Sequence, residues 1–123
     1  MLIRYKKHYE KIAMGLLSFM PKEKNLNNLR ATMKKYEADP NYKLYLWKHE
    51  EDMIGIIGIY VQGDSIQIEH VCVNPSHRQQ GIGKQIVKAL SAEYPTKNIT
   101  ASEDTMNFYD KCFCTIENSV EQR

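Results

Sequence analysis

Apolar residues recur along the chain with two different periods, and the period changes with position. Over residues 7–20 and 25–38 they return every three or four residues, which is typical of amphipathic helices. Residues 83–94 show the same spacing, with Ile86, Val87 and Leu90 on one face. A proline follows each of the three patterns closely, and proline cannot continue a helix. The spacing therefore predicts three helices that each bury one face.

Other segments predict strands. They alternate apolar with polar residues or form short β-branched runs, and they cover residues 2–5, 42–49, 53–61, 65–73 and 97–101. The turns "EED" and "QGD" are too short for anything but antiparallel hairpins. A helix separates "SIQIEHVCV" from "KNITA", so these two strands form a parallel pair through a crossover. Residues 104–112 predict a last short helix, and 113–116 a last strand.

The predicted order is β-α-α-β-β-β-α-β-α-β, an α/β (α+β) mixed sheet with helices on both faces. A chain of 123 residues fits a single domain over 1–123. The net charge of +2 is too balanced to indicate a nucleic-acid or membrane surface. No apolar run is long enough to span a membrane, and the first residues lack a signal-peptide core, so we expect a cytoplasmic protein. The three cysteines include no C-x-x-C pair, which argues against a zinc site or a disulfide framework.

The stretch "VNPSHRQQGIGKQIVKAL" predicts an anion site where the third helix follows a strand. Unpaired N–H groups and the positive end of the helix dipole favour a phosphate there, and glycines let the backbone approach it. The amides from Gln79 to Lys84 could wrap a pyrophosphate, with added positive charge from Arg78. Neither a dinucleotide-binding fingerprint nor a P-loop fits, because Ile86 stands where the fingerprint needs its third glycine and Gln85 follows Lys84.

What does match is R-x-x-G-x-G after "HVCVNP", which resembles the acetyl-CoA-binding motif of the GNAT (Gcn5-related N-acetyltransferase) family. The segment "NFYDKCF" is similar to the family's second landmark, and the resemblance covers nearly the whole chain. Within the family, the chain resembles small members encoded in bacterial riboflavin operons. The resemblance implies an acetyl-CoA N-acyltransferase fold with a shortened C-terminus. It also implies acetyl transfer to an amine, with an unidentified acceptor that links to riboflavin metabolism.

Carried over position by position, the family motifs imply two groups of site residues. Coenzyme A is expected to lie between the strand around residues 71–73 and the strand around 99–101. The pantetheine would pair with the first strand, where a backbone N–H would also polarise the thioester carbonyl. The cofactor-binding residues implied are Val71, Val73, Arg78, Gln79, Gln80, Gly81, Ile82, Gly83, Lys84, Ser102 and Tyr109. No metal is implied.

The reaction has two proton requirements, because the attacking amine must be neutral and the departing thiolate must be protonated. Tyr109 matches the tyrosine of the family's "FY" motif and is the candidate acid. Glu69 is the first candidate base, although an ordinary glutamate pKa of about 4.3 would require burial or a water relay. His70 is the rival. Strict strand alternation would put Glu69 on one face with Gln67, Val71 and Val73. It would put His70 on the other face with Ile68 and Cys72, so only one of the two could reach the acceptor.

The sequence departs from the family pattern near its end. Ser102 stands where the family usually has asparagine, "KCF" is shorter than the usual "KLGF", and the chain stops soon after "FCTI". The family usually has one more strand there. Its absence predicts either an open site for a large or protein acceptor, or a homodimer whose partner supplies the edge. A non-catalytic CoA-binding regulatory module remains the alternative function.

Overall fold

A computed structural model describes residues 1–20, 25–77 and 81–101, and these form one five-stranded sheet with helices on both faces. The strands are β1 (Leu2–Arg4), β2 (Tyr42–His49), β3 (Asp52–Gln62), β4 (Ser65–Val73) and β5 (Asn98–Ala101). The helices are α1 (Glu10–Leu17), α2 (Leu26–Ala38) and α3 (Ile82–Glu93). The predicted helix 104–112 and strand 113–116 lie outside the described residues.

Strands β2 to β5 have the arrangement that the sequence predicts, an antiparallel meander followed by a parallel pair. The strands of the sheet lie in chain order β1-β2-β3-β4-β5, and the first four pair antiparallel. The pair β4–β5 is parallel, because α3 carries the chain back to the end of the sheet where β4 begins. Two short 3₁₀ helices, Lys7–Tyr9 and Pro75–His77, precede α1 and α3. The first replaces the opening turn of the helix predicted from residue 7, since the Tyr9 N–H donates to the Lys6 carbonyl three residues earlier.

Each face of the sheet has its own buried core. On one face α1 and α2 pack against the sheet, and the members of this core include Leu16, Leu29, Tyr36, Leu44, Ile56 and Cys72. On the other face α3 packs on the sheet, and its core includes Ile57, Ile66, Ile68, Val71, Val73, Ile86 and Leu90. No helix in the described part of the chain is long and apolar enough to cross a membrane.

The face of each β4 side chain is set by a β-bulge at Glu69. Gly58 of β3 pairs with His70 and Ile59 pairs with Ile68, so Glu69 is an extra residue between two consecutive pairs. Ile66, Ile68, Val71 and Val73 consequently all face α3, although strict alternation would separate the first two from the last two. The prediction that Ile68 shares a face with His70 and Cys72 is therefore wrong.

Gly58 lets α2 approach the sheet closely. The Tyr36 ring stands directly over this glycine, so that a Cβ atom built at position 58 would overlap the ring and its hydroxyl. Tyr36 is 7% exposed and belongs to the core on the α1/α2 face. A side chain at position 58 would thus push the C-terminal half of α2 away from β3.

We predict that Gly58→Ala lowers the free energy of unfolding by about 1–3 kcal/mol, because the added methyl group overpacks the contact with Tyr36. Urea unfolding measures the change. Gly15→Ala is the matched control: nothing lies within 4 Å of a Cβ at that helical position. That control should stabilise the protein by about 0.5–1 kcal/mol. A Gly58→Ala variant as stable as the wild type would contradict the packing described here.

Candidate functional site

The bulge brings the two rival bases, Glu69 and His70, onto the same face of the sheet. The Gln67 Nε2 donates to Glu69 Oε2 at 2.8 Å, and Gln67 points away from α3 because its neighbours Ile66 and Ile68 point toward it. His70 contacts Tyr36 of α2, on this same side. The expectation that Glu69 and His70 lie on opposite faces of the strand is therefore wrong. A strand without the extra residue would have separated them.

His70 is held by Tyr36. The Tyr36 hydroxyl lies 2.6 Å from His70 Nδ1, and the two rings meet edge to face with centroids 5.6 Å apart. Gly58 is the register partner of His70 on β3 and also lies under the Tyr36 ring. The glycine thus makes room for the hydroxyl to reach the imidazole. Tyr36 reads in the sequence only as part of an apolar helix stripe, and its partner becomes visible only when the helix is placed on the sheet.

A row of polar and aromatic side chains continues from Glu69 across the same face. Cross-strand register places Tyr42 opposite Tyr60, Tyr60 opposite Gln67, and Gln67 opposite Thr100. We call these four residues the tyrosine row. Its two phenol rings lie 4.7 Å apart between centroids and are half-buried. Single-strand patterns did not predict this row, because it depends on the register of four strands.

The charge around the tyrosine row is partly negative. The pKa of the Tyr42 phenol is raised, first by burial and then by the negative charges of Glu69 and Asp39, with a contribution from Tyr60. A negative field opposes ionisation of the phenol, and the same field favours a cation nearby. Lys35 of α2 shows such a contact, with its Nζ 5.3 Å from the centroid of the Tyr42 ring.

The anion site predicted at the third helix has a glycine cap. Gly81 is the N-cap of α3 with φ 76° and ψ 13°, a left-handed conformation that costs other residues about 1–2 kcal/mol. Ile82 is buried against the sheet and fixes the start of the helix. The amides of Ile82, Gly83 and Lys84 belong to the first turn, where N–H groups have no partner within the helix. This terminus can hold a phosphate.

The remaining predicted site residues divide into two sets. Val71 and Val73 lie on β4 beyond the bulge, and their side chains pack toward α3. Arg78, Gln79, Gln80, Ser102 and Tyr109 lie outside the described residues. The described part of β5 pairs with β4 from Ser65 to Ile68, so the last described pair directly precedes the bulge.

A groove of about 550 Å³ lies elsewhere, at the end of the sheet where β4 leads into α3. It opens between α1, the β2–β3 turn and the segment after β4. Its lining includes Ile12, Met53, Asn74 and His77. Among the residues that the structure describes, none of those predicted for the cofactor or the proton transfers lines this groove.

Comparison with known proteins agrees with this architecture. The sequence profile of the acetyltransferase (GNAT) family matches residues 10–113. An uncharacterised N-acetyltransferase from the lysA 3′ region of Bacillus methanolicus is 58% identical over 113 residues, which are 91% of this chain and 94% of that protein.

Solved structures share the fold at low sequence identity. The aminoglycoside acetyltransferase AAC(6′)-Iy, in complex with a bisubstrate analogue, has a TM-score of 0.73 and 14% identity, with 98% of this chain and 88% of that chain covered. An acetyltransferase from Thermus thermophilus has a TM-score of 0.72 and 12% identity, with coverage of 90% and 83%. The match over residues 10–113, together with the 58% identical relative, shows that this chain belongs to the GNAT family of acetyltransferases, which use acetyl-CoA.

Proposed function

We propose that this chain transfers an acetyl group from acetyl-CoA to a primary amine that approaches from the α1/α2 face of the sheet. The observation that carries the proposal is the bulge at Glu69. A bulge bends its strand, and this one follows the last described pair between β4 and β5. The bend supports an opening between the two strands, where the acetyl group would lie beside Glu69 and His70.

The cofactor would then lie along the part of β4 that follows the bulge, with its pyrophosphate past the end of the strand and its thioester at the bulge. The pyrophosphate would sit on the segment from Gln79 to Lys84, at the N-terminus of α3, with Arg78 adding positive charge. The pantetheine would follow the backbone of Val71 and Val73 toward the bulge. Ser102 and Tyr109 would complete the site from the far side of the gap. In this proposal residues 1–123 form the single domain that carries the site, and the protein acts in the cytoplasm.

Each proton that moves in the proposed reaction has a donor and an acceptor. An ammonium acceptor loses one proton to Glu69, directly or through water, and its nitrogen forms a bond to the carbonyl carbon of the thioester. The C–S bond breaks, and the departing thiolate takes a proton from Tyr109. The second proton of the nitrogen returns to Tyr109 through water, and Glu69 releases the first proton to solvent. The products are an acetamide and coenzyme A. The resemblance to members encoded in riboflavin operons makes amines of flavin metabolism the first acceptors to assay. A homodimer remains a prediction that light scattering can test.

We predict that acetyl-CoA at about 100 times its Kd stabilises the protein by about 2.7 kcal/mol, which raises Tm by several degrees. Gly81→Ala should greatly reduce this rise, because a Cβ at the helix cap strains the backbone that would hold the pyrophosphate. Gly63→Ala is the matched control. Gly63 also has positive φ, at 58°, and open space around its Cβ position, but it lies in the β3–β4 turn.

Both glycine variants should lose similar stability without ligand, and only Gly81→Ala should lose the response to acetyl-CoA. Equal acetyl-CoA-dependent rises in Tm in the two variants would contradict an anion site at the start of α3. No response in the wild-type protein would contradict cofactor binding altogether.

We also predict that Tyr109→Phe and Glu69→Gln each lower kcat by about 10²–10⁴-fold, as expected for loss of a group that transfers a proton. The assay measures release of coenzyme A from acetyl-CoA in the presence of each amine. The acetyl-CoA-dependent rise in Tm serves as the control. It should persist in full in Glu69→Gln and fall only slightly in Tyr109→Phe, which loses one hydroxyl contact with the cofactor. Unchanged turnover in either variant would remove that residue's role. Tight cofactor binding without turnover on any amine would favour the CoA-binding regulatory module.

A further inference from the structure

The tyrosine row continues the site away from the cofactor. The proposed pyrophosphate site lies past the C-terminal end of β4, while the row crosses β4 at Gln67, on the N-terminal side of the bulge. An acceptor that meets the acetyl group beside Glu69 on the α1/α2 face therefore extends over Gln67 and Tyr60. This placement rests on the proposed function for the position of the acetyl group.

The helix above the sheet leaves this part of the face accessible. Tyr36 of α2 covers Gly58, which is the position before Tyr60 on the same face of β3. Helix α2 ends at Ala38. The two row tyrosines are half-buried, and Gln67 and Thr100 are exposed. The row is thus a shallow surface with a rigid aromatic floor, since Tyr42 also packs edge to face on Tyr36 with centroids 5.7 Å apart.

The chemistry of this surface suits an ammonium group. Glu69 contributes a carboxylate at one end, and Asp39 adds negative charge near Tyr42. The faces of phenol rings attract cations, and Lys35 already places its ammonium over Tyr42. Lys35 reaches the Tyr42 ring from α2, so this ring already contacts one ammonium group of the chain itself.

We propose that Tyr42, Tyr60, Gln67 and Glu69 form the acceptor subsite, and that it selects aliphatic amines carried as ammonium ions. Glu69 binds the ammonium and then receives its proton, while the tyrosine rings hold the alkyl chain or a second cationic group. Neutral alcohols and amides of the same length are rejected, because they give the carboxylate no charge to pair with.

Cadaverine tests this subsite without any turnover, and 1,5-pentanediol is its neutral counterpart of equal length. Both are titrated into ¹⁵N-labelled protein saturated with coenzyme A, and backbone amide shifts are followed by NMR. Cadaverine should shift the amides of Tyr60, Gln67 and Glu69 in a saturable manner, and the diol should not. Glu69→Gln should weaken cadaverine binding about tenfold, and Tyr60→Leu about two- to fivefold.

Tyr45→Phe is the matched control, because Tyr45 lies on β2 but faces α3. That variant should bind cadaverine like the wild type. The inference is wrong if cadaverine leaves these amides unchanged, if the diol shifts them equally, or if Glu69→Gln binds cadaverine normally. The coenzyme A titration that precedes each experiment separates the two proposals. Shifts at Gly81–Lys84 with coenzyme A but none with cadaverine contradict the subsite alone, whereas no shift with coenzyme A contradicts the proposed function.

Discussion

The β-bulge at Glu69 decides which chemical groups of β4 meet. The extra residue shifts the alternation of the strand, so that Glu69 and His70 both lie on the α1/α2 face while four aliphatic residues of β4 stay buried against α3. In a regular strand these four residues could not share a face, because Val71 and Val73 would bring Glu69 into the α3 core, and Ile66 and Ile68 would bring His70 there. Burial of an unpaired charge there would cost several kcal/mol. The bulge therefore keeps the aliphatic side chains of β4 buried and leaves Glu69 and His70 on the α1/α2 face.

The packing of α2 depends on the same place in the sheet. Gly58 is the register partner of His70, and its missing side chain admits the Tyr36 ring, whose hydroxyl reaches His70. The position of α2, the position of the His70 ring and the bulge in β4 are thus linked through direct contacts. The tyrosine row begins where this cover ends. The acceptor side of the site is therefore built from β2, β3 and β4 together, while the cofactor side uses the end of β4 and the start of α3.

The sequence predicted much of the fold and less of the site. Helix and strand order follow from hydrophobic periodicity, and the short turns fix the antiparallel pairs β2–β3 and β3–β4. The pairing of β1 with β2 was not predicted, because two helices separate these strands in the chain. The bulge was not predicted because neither glycine nor proline marks Glu69, and strict alternation then assigned Glu69 and His70 to opposite faces. Tyr36, Tyr42 and Tyr60 were not predicted as site residues, since each belongs to a different element. Their proximity depends on register and on helix placement over Gly58.

A crystal structure of the protein with coenzyme A tests the central claim most directly. The account predicts that the pyrophosphate contacts the backbone amides at the start of α3 and that the sulfur lies beside the bulge. The side of the sulfur that carries the acetyl group in acetyl-CoA should face Glu69 and the tyrosine row. A cofactor whose sulfur lies on the α3 face, or one bound away from β4, would contradict the account.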